Sequence, residues 1–263
     1  MSHVLAIAGR ELRSLLSTPV AYVLFAVYMV FAGYIFFLSL EFFLVQIQQV
    51  QMARLPPEQL QDLMSQFNLN DRVIAPSMGT FSFVFVLLVP LLTMRAFAEE
   101  RANGTIELLL TSPLTAWQVV LGKYLGVLGV VGILIALTAL YPALLMAYGN
   151  PELLQTLGGL LGLFLYGAAL AALGCFVSSL TRSQTIAATV AMVAGLMLLL
   201  IDVVAEVAGA GALADLLRYL GIRAHFEQAL QGVITTPDLG YFAVVIVFFL
   251  TLTRTSVESL RWR

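Results

Sequence analysis

The chain has 263 residues, 60% of them hydrophobic and 11% charged, with a formal net charge of −2. Soluble globular domains carry about 25% charged residues, so a soluble enzyme is excluded, and the lack of a basic excess excludes a nucleic-acid binder. A single cysteine, Cys175, excludes an intrachain disulfide framework and a cysteine-based metal cluster.

Residues 1–17 read as an amphipathic helix. Val4, Leu5, Ala8, Leu12, Leu15 and Leu16 fall on one arc, with Arg10 and Arg13 opposite. Such a helix lies in the membrane interface with its basic face toward anionic headgroups. Thr18-Pro19 ends it, because the residue before a proline is pushed out of the helical region.

A spanning helix needs about 20 mostly apolar residues. Charge-free runs occur at Ser14–Leu40, Val73–Met94, Tyr124–Pro151, Leu153–Thr181, Ser183–Ile201 and Leu239–Thr253. The first is too long for the apolar core of a cleaved signal peptide and reads as a retained span. The last is short, and reaches spanning length if Arg254 and Glu258 sit at headgroup level. The fold class is therefore an all-α polytopic membrane protein with six spans, forming a single domain over 1–263.

Between the first two spans, residues 46–75 form an outer loop rich in Gln and interrupted by Pro56-Pro57. Within it, Leu60, Leu63, Met64 and Phe67 mark one face of a short helix. Gly122/Gly126 and Gly158/Gly162 have the spacing that lets helices approach closely in lipid. The segment 202–238 contains Gly209-Ala210-Gly211-Ala212 and short apolar stretches. It reads as an outer segment with re-entrant half-helices before the last span, which are tolerated only where protein or a wet cavity covers their backbone.

The segment 95–122 is charged at its start and strongly punctuated. Asn103-Gly104 is a turn pair. Thr105 suits a helix N-cap, and Glu107 suits the positive end of the helix that follows. Ile106, Leu108, Leu109 and Leu110 give that short helix an apolar surface, and Ser112-Pro113 closes it. Thr115 and Gln118 then form a capping box for the next helix. The apolar surface buries itself either in lipid or in a groove on a soluble partner.

Lys and Arg placement orients the chain. With both termini inside, nine basic residues fall on the inner side and four (Arg54, Arg72, Arg218, Arg223) on the outer side, while five acidic residues fall inside and ten outside. The expected location is the cytoplasmic (inner) membrane, multi-pass, with both termini cytoplasmic.

The run Glu99-Glu100-Arg101-x-x-Gly104-Thr105-x-Glu107-Leu108-Leu109-Leu110-Thr111-x-Pro113, followed by Gly122-Lys123, resembles the signature of ABC-2-type transporter permeases. The likeness extends to Thr93-Met94-Arg95-x-Phe97, Ser178-Ser179-Leu180-Thr181, Gly221-Ile222, His225-Phe226, Gly232-Val233-Ile234 and Asp238-Leu239-x-Tyr241-Phe242, and is closest to the gliding-motility GldF-like branch. The resemblance implies a permease subunit that pairs with a second copy or a related permease and binds an ABC ATP-binding subunit. The helix after Gly104 would be the coupling helix, with Glu99, Glu100, Arg101, Gly104, Thr105, Glu107, Leu108, Leu109 and Pro113 at the ATPase-coupling interface. It further implies export or mechanical signalling, and an auxiliary membrane protein with a periplasmic domain.

The chain has no GxxxxGK[ST] loop, because Gly122-Lys123 lacks both the upstream glycine and the following Ser or Thr. No catalytic residue, metal site or cofactor is expected in this chain, and ATP with magnesium belongs to the partner ATPase. Two other classes stay open at this level. An ion-coupled secondary carrier needs an ionisable residue within the membrane, for which Asp202 is the candidate. An intramembrane enzyme needs a nucleophile or base, for which Cys175 and His225 are the candidates.

Overall fold

A computed structural model of the chain describes residues 2–53, 56, 58–60, 67–105, 114–149, 151–209 and 211–259. Its helices are α1 (Ser2–Ser17), α2 (Pro19–Met52), α3 (Ala75–Thr93), α4 (Arg95–Ala102), α5 (Ala116–Thr138), α6 (Leu140–Tyr148), α7 (Leu153–Leu180), α8 (Gln184–Ala208), α9 (Ala212–Leu220), α10 (Ile222–Leu230) and α11 (Thr236–Ser259). Among the described residues, six units are long and apolar enough to cross a membrane: α2, α3 with α4, α5 with α6, α7, α8 and α11.

Several boundaries differ from those read in the sequence. The first spanning helix continues through Gln46–Met52, inside the stretch assigned to the outer loop. Gln and Met are good helix formers, and no proline intervenes before Pro56. The second spanning unit begins with a π-helical turn at Asn70–Ile74, so the loop also ends earlier than position 75. Asn70 fixes that entry. Its amide donates to the Glu152 carbonyl at 3.0 Å and to Thr156 Oγ1 at 3.3 Å, and its oxygen accepts from the Glu152 N–H at 2.8 Å. Much of the short helix expected around Leu60 to Phe67 falls on residues 61–66, outside the described residues.

The segment 95–122, expected to carry the coupling helix, is bounded by helices within its own range. Arg95–Ala102 is helix α4, and α5 begins at Ala116. Met94 joins α3 to α4 just after Pro90, which removes one ladder hydrogen bond inside α3. The sixth span runs Thr236–Ser259, longer at both ends than its charge-free run, with Arg254 and Glu258 paired at 2.8 Å within it.

α7 is the central helix. Its run Gly167–Cys175 is glycine and alanine apart from Leu170, Leu173 and the cysteine, so neighbours approach to van der Waals contact. A Cβ on Gly167 would meet Val131 and Phe85, and one on Gly174 would strike Thr93. Cys175 is fully buried in this core, a small apolar side chain by position. Polar cross-links punctuate the apolar packing: Tyr28 OH donates to Thr138 Oγ1 at 2.5 Å, whose own proton goes to the Leu134 carbonyl, and Tyr124 OH donates to the Ala168 carbonyl at 3.2 Å.

Both glycine pairs flagged by spacing are helix contacts. Gly122 and Gly126 face Ile7 and Glu11 of α1. Gly158 and Gly162 face Gly232 and Ala229 at the end of α10. The segment before the last span is two short helices, α9 and α10. Phe226 of α10 lies against Tyr166, ring centroids 5.5 Å apart. Tyr166 is halfway along α7, so α10 packs beside that helix rather than beyond its end.

Candidate functional site

The strongest concentration of charge lies where α1, α4 and the start of α5 meet. The capping box forms as its spacing requires. The Gln118 N–H donates to Thr115 Oγ1 at 3.3 Å and the Thr115 N–H to Gln118 Oε1 at 3.0 Å. Two turns later Lys123 is 2% exposed. Its ammonium donates to the Ala96 carbonyl at 2.5 Å and lies 2.9 Å from Glu100 Oε1 and 3.4 Å from Glu11 Oε2. The Phe97 ring covers it at 5.3 Å. Arg10 lies 3.8 Å from the same Glu100 oxygen. Two cations and two carboxylates therefore balance in one cluster joining three helices.

α1 docks onto α5 through the bare backbone of Gly122 and Gly126. The stripe that meets α5 is Val4, Ile7, Ala8, Glu11, Leu12 and Leu15. It is offset from the arc read in the sequence: Leu5 is 64% exposed, whereas Ile7 is buried. A glutamate sits in the middle of this stripe, and Lys123 is the reason it can. Arg10 and Arg13 are exposed, as their opposite placement requires. Burial raises the Glu11 carboxyl above the ordinary carboxylate range. Lys123 opposes the shift and Glu100 adds to it.

α4 is held against the end of α7. Starting a helix at Arg95 leaves its first N–H groups without helical partners. Ser178 Oγ accepts from the Phe97 and Ala98 N–H groups, each at 3.1 Å, and donates to the Met94 carbonyl at 2.9 Å. The Ser179 carbonyl, free at the C-terminal end of α7, accepts from the Arg101 guanidinium and from Ser256 Oγ. The charged motif Glu99-Glu100-Arg101 and the Ser178-Ser179 pair are thus one contact.

Of the residues expected at the coupling interface, Glu100 and Arg101 are partnered in this way, and Glu99 is exposed on the rim. Gly104 takes φ +71°, the left-handed turn that favours glycine. Thr105 is exposed, its hydroxyl donating to the Glu100 carbonyl at 3.4 Å. Glu107, Leu108, Leu109 and Pro113 lie outside the described residues. Around this end opens a cleft of about 800 Å³, lined by Arg10, Glu11, Arg95, Glu99, Glu100 and Lys123 among others. Glu11 and Lys123 are the site residues that spacing did not yield. Lys123 is a lone charge in an apolar stretch, and Glu11 is the one acidic residue of α1, which is the signal that could have paired them.

At the opposite end, a second network ties α8 to α11 together. Asp202 Oδ2 accepts from the Arg223 N–H at 3.2 Å, at the start of α10. Its other oxygen lies against Gly221, which leaves no room for a Cβ. Arg223 pairs with Glu227 at 2.6 Å, and that bond raises the guanidinium's affinity for its proton. His225 Nδ1 faces Asp238 Oδ1 at 2.7 Å, and Nε2 faces the Tyr219 carbonyl at 3.2 Å. Both partners present oxygen atoms, so the ring is held from both sides. His225 also stacks on Tyr241, centroids 4.1 Å apart. This places His225 as a clasp between helices.

A family model described as "ABC-2 family transporter protein" matches residues 5–257. Two curated proteins named "Probable multidrug ABC transporter permease YbhR", from Escherichia coli strain K12 and from Escherichia coli O157:H7, are each 31% identical to this chain over 117 residues. That stretch covers 42% of this chain and 29% of each relative.

Proposed function

Because the chain belongs to the ABC-2 family of transporter proteins, we propose that this multi-pass permease subunit is driven by ATP hydrolysed on a partner ATP-binding subunit. The end bearing α1 and α4 faces the cytoplasm, which follows from the nine basic residues on that side against four on the other. The membrane is the inner one. The partner ATPase holds ATP and magnesium, and seats against the segment from Gly104 to Leu114.

One observation carries the reading. Lys123 bonds α4, which is joined to the second span at Met94, to α5, which is the third span, in a cleft that Thr105 and Leu114 also line. A displacement of the segment is therefore delivered to two spans and to α1 together, as a two-state device biased by a ligand on another chain requires. Pairing with a second permease copy and export of cargo complete this proposal. The printed name of the Escherichia coli relatives points to multidrug cargo, and the motif resemblance to the gliding-motility branch points to force transmission, with an auxiliary periplasmic-domain protein. The co-purifying subunits separate these two.

The test is a mild-detergent pull-down of the tagged protein with mass spectrometry of what co-purifies, beside a Leu109→Asp control. A soluble ATPase present with the wild type and lost from the control is the expected result. No ATPase in either sample, or equal recovery in both, overturns the coupling assignment.

A further inference from the structure

A second site lies far from the charge cluster, and its argument is independent of the ATPase reading. A slot of about 220 Å³ opens between α3, α7, α8 and α10, with Phe83, Leu199, Phe226 and Leu230 among its walls. Tyr166 lines it, is 1% exposed, and has a buried hydroxyl with no hydrogen-bond partner. A buried polar group left unpaired costs about 1–3 kcal/mol, so this hydroxyl marks a place where a partner is missing. Ser82, also in the wall, donates its proton to the Gly79 carbonyl at 2.7 Å and keeps its lone pairs free to accept.

The slot shares Arg223 and Glu227 with an adjoining cleft of about 160 Å³. That cleft is lined by Asp202, Glu206 and Glu227 against Arg218 and Arg223, one carboxylate in excess. Asp202 is 8% exposed, and its Oδ1 is a second buried polar atom without a hydrogen bond. Apolar walls, an unpaired hydroxyl and an acidic mouth follow one another along the groove.

We propose that this groove binds an amphiphile carrying a cationic ammonium head, a hydrogen-bond acceptor next to it and an apolar tail. The head meets the acidic mouth, the acceptor takes the Tyr166 proton, and the tail lies among Phe83, Leu199 and Leu230. A lipid with an amino headgroup and a free fatty-acyl ester of an amino alcohol share this chemistry.

The experiment uses the full chain in maltoside micelles and a lauroylcholine analogue bearing a diazirine on its tail. The label is mapped by peptide mass spectrometry. It is expected on the peptides holding Phe83 and Leu199, and lost in Leu199→Trp, which fills the slot. Lauroylcholine is expected to compete about fivefold better than dodecyltrimethylammonium, which lacks the ester acceptor, and both about tenfold better than dodecanoate. Tyr166→Phe keeps the ring on Phe226 and removes one oxygen. It is expected to abolish the advantage of lauroylcholine while leaving dodecyltrimethylammonium unchanged. Equal competition by all three, label spread over the outer faces of the helices, or an advantage that survives Tyr166→Phe overturns the proposal. Lysophosphatidylethanolamine decides the source: competition equal to lauroylcholine identifies a lipid headgroup, and failure to compete identifies a soluble amphiphile.

Discussion

Lys123 reaches Glu100 across 2.9 Å from a position that is 2% exposed. An ammonium in that setting is stable only because every donor has an acceptor: Glu100, Glu11 and the Ala96 carbonyl. Removing one member of a buried ion pair costs about 3–5 kcal/mol, mostly as the penalty of the stranded partner. Lys123→Met is therefore expected to lower the unfolding midpoint in detergent strongly. Adding Glu11→Gln removes one of the two stranded carboxylates, so the double variant is expected to be more stable than Lys123→Met alone. A double variant that is worse than the single one would show that Glu11 is held by something other than Lys123.

The same cluster fixes the sign of a pH effect. Burial raises the Glu11 carboxyl, Lys123 pulls it down and Glu100 pushes it further up. The net direction is upward because burial is the largest of these effects, and Lys123, shared with the nearer Glu100, only partly offsets it. A raised carboxyl contributes stability fully below its unfolded value, and loses that contribution as pH rises through the folded value. Glu11→Gln removes the titration. The stability of the wild type relative to Glu11→Gln is thus expected to fall as pH climbs from 4.5, the unfolded reference. Thermal unfolding of both proteins at stepped pH reads it, and a relative stability that rises with pH contradicts the direction.

Glycine positions on the two sides of the α1–α5 contact predict opposite outcomes. A Cβ at Gly122 falls 2.6 Å from Ile7 Cβ, and one at Gly126 falls 2.6 Å from Glu11 Cβ. Gly9, on the outer face of α1, has nothing within 4 Å. Gly122→Ala with Gly126→Ala is expected to lift α1 and speed trypsin cleavage at Arg10 and Arg13. Gly9→Ala is expected to leave cleavage unchanged or slower, since alanine stabilises a helix interior by about 0.5–1 kcal/mol over glycine. Equal protection in the double variant and the wild type would mean that the close approach is not what seats α1.

Six spans and the Thr115 capping box were legible because their signals are local: a charge-free run, and a pair three residues apart. Helix ends were less legible. Gln46–Met52 is polar enough to read as loop, yet it contains no residue that breaks a helix. The buried face of α1 was offset because Glu11 reads as solvent-facing until its partner is known, and that partner is 112 positions away. The role of Ser178 was invisible for the same reason. Nothing near it in sequence says that a helix restarts at Arg95 and leaves N–H groups for it to accept.

The opposite end offers a test of the His225 clasp. Asp238 accepts from His225 at 2.7 Å with one oxygen and from Thr235 Oγ1 at 2.5 Å with the other. Asp238→Asn removes the carboxylate charge that His225 Nδ1 and Thr235 Oγ1 face. In one amide orientation it also sets two donors against each other, and in the other it loses the acceptor for Thr235. Hydrogen bonds to charged groups contribute about 1.5–3 kcal/mol and neutral ones about 1, so Asp238→Asn is expected to loosen α9 and α10 more than Thr235→Ala does. Hydrogen–deuterium exchange over residues 212–232 measures this. The expected order of exchange is Asp238→Asn fastest, then Thr235→Ala, then wild type, with α5 unchanged in all three. An Asp238→Asn protein that exchanges no faster than Thr235→Ala would mean that the carboxylate charge is not what holds the clasp.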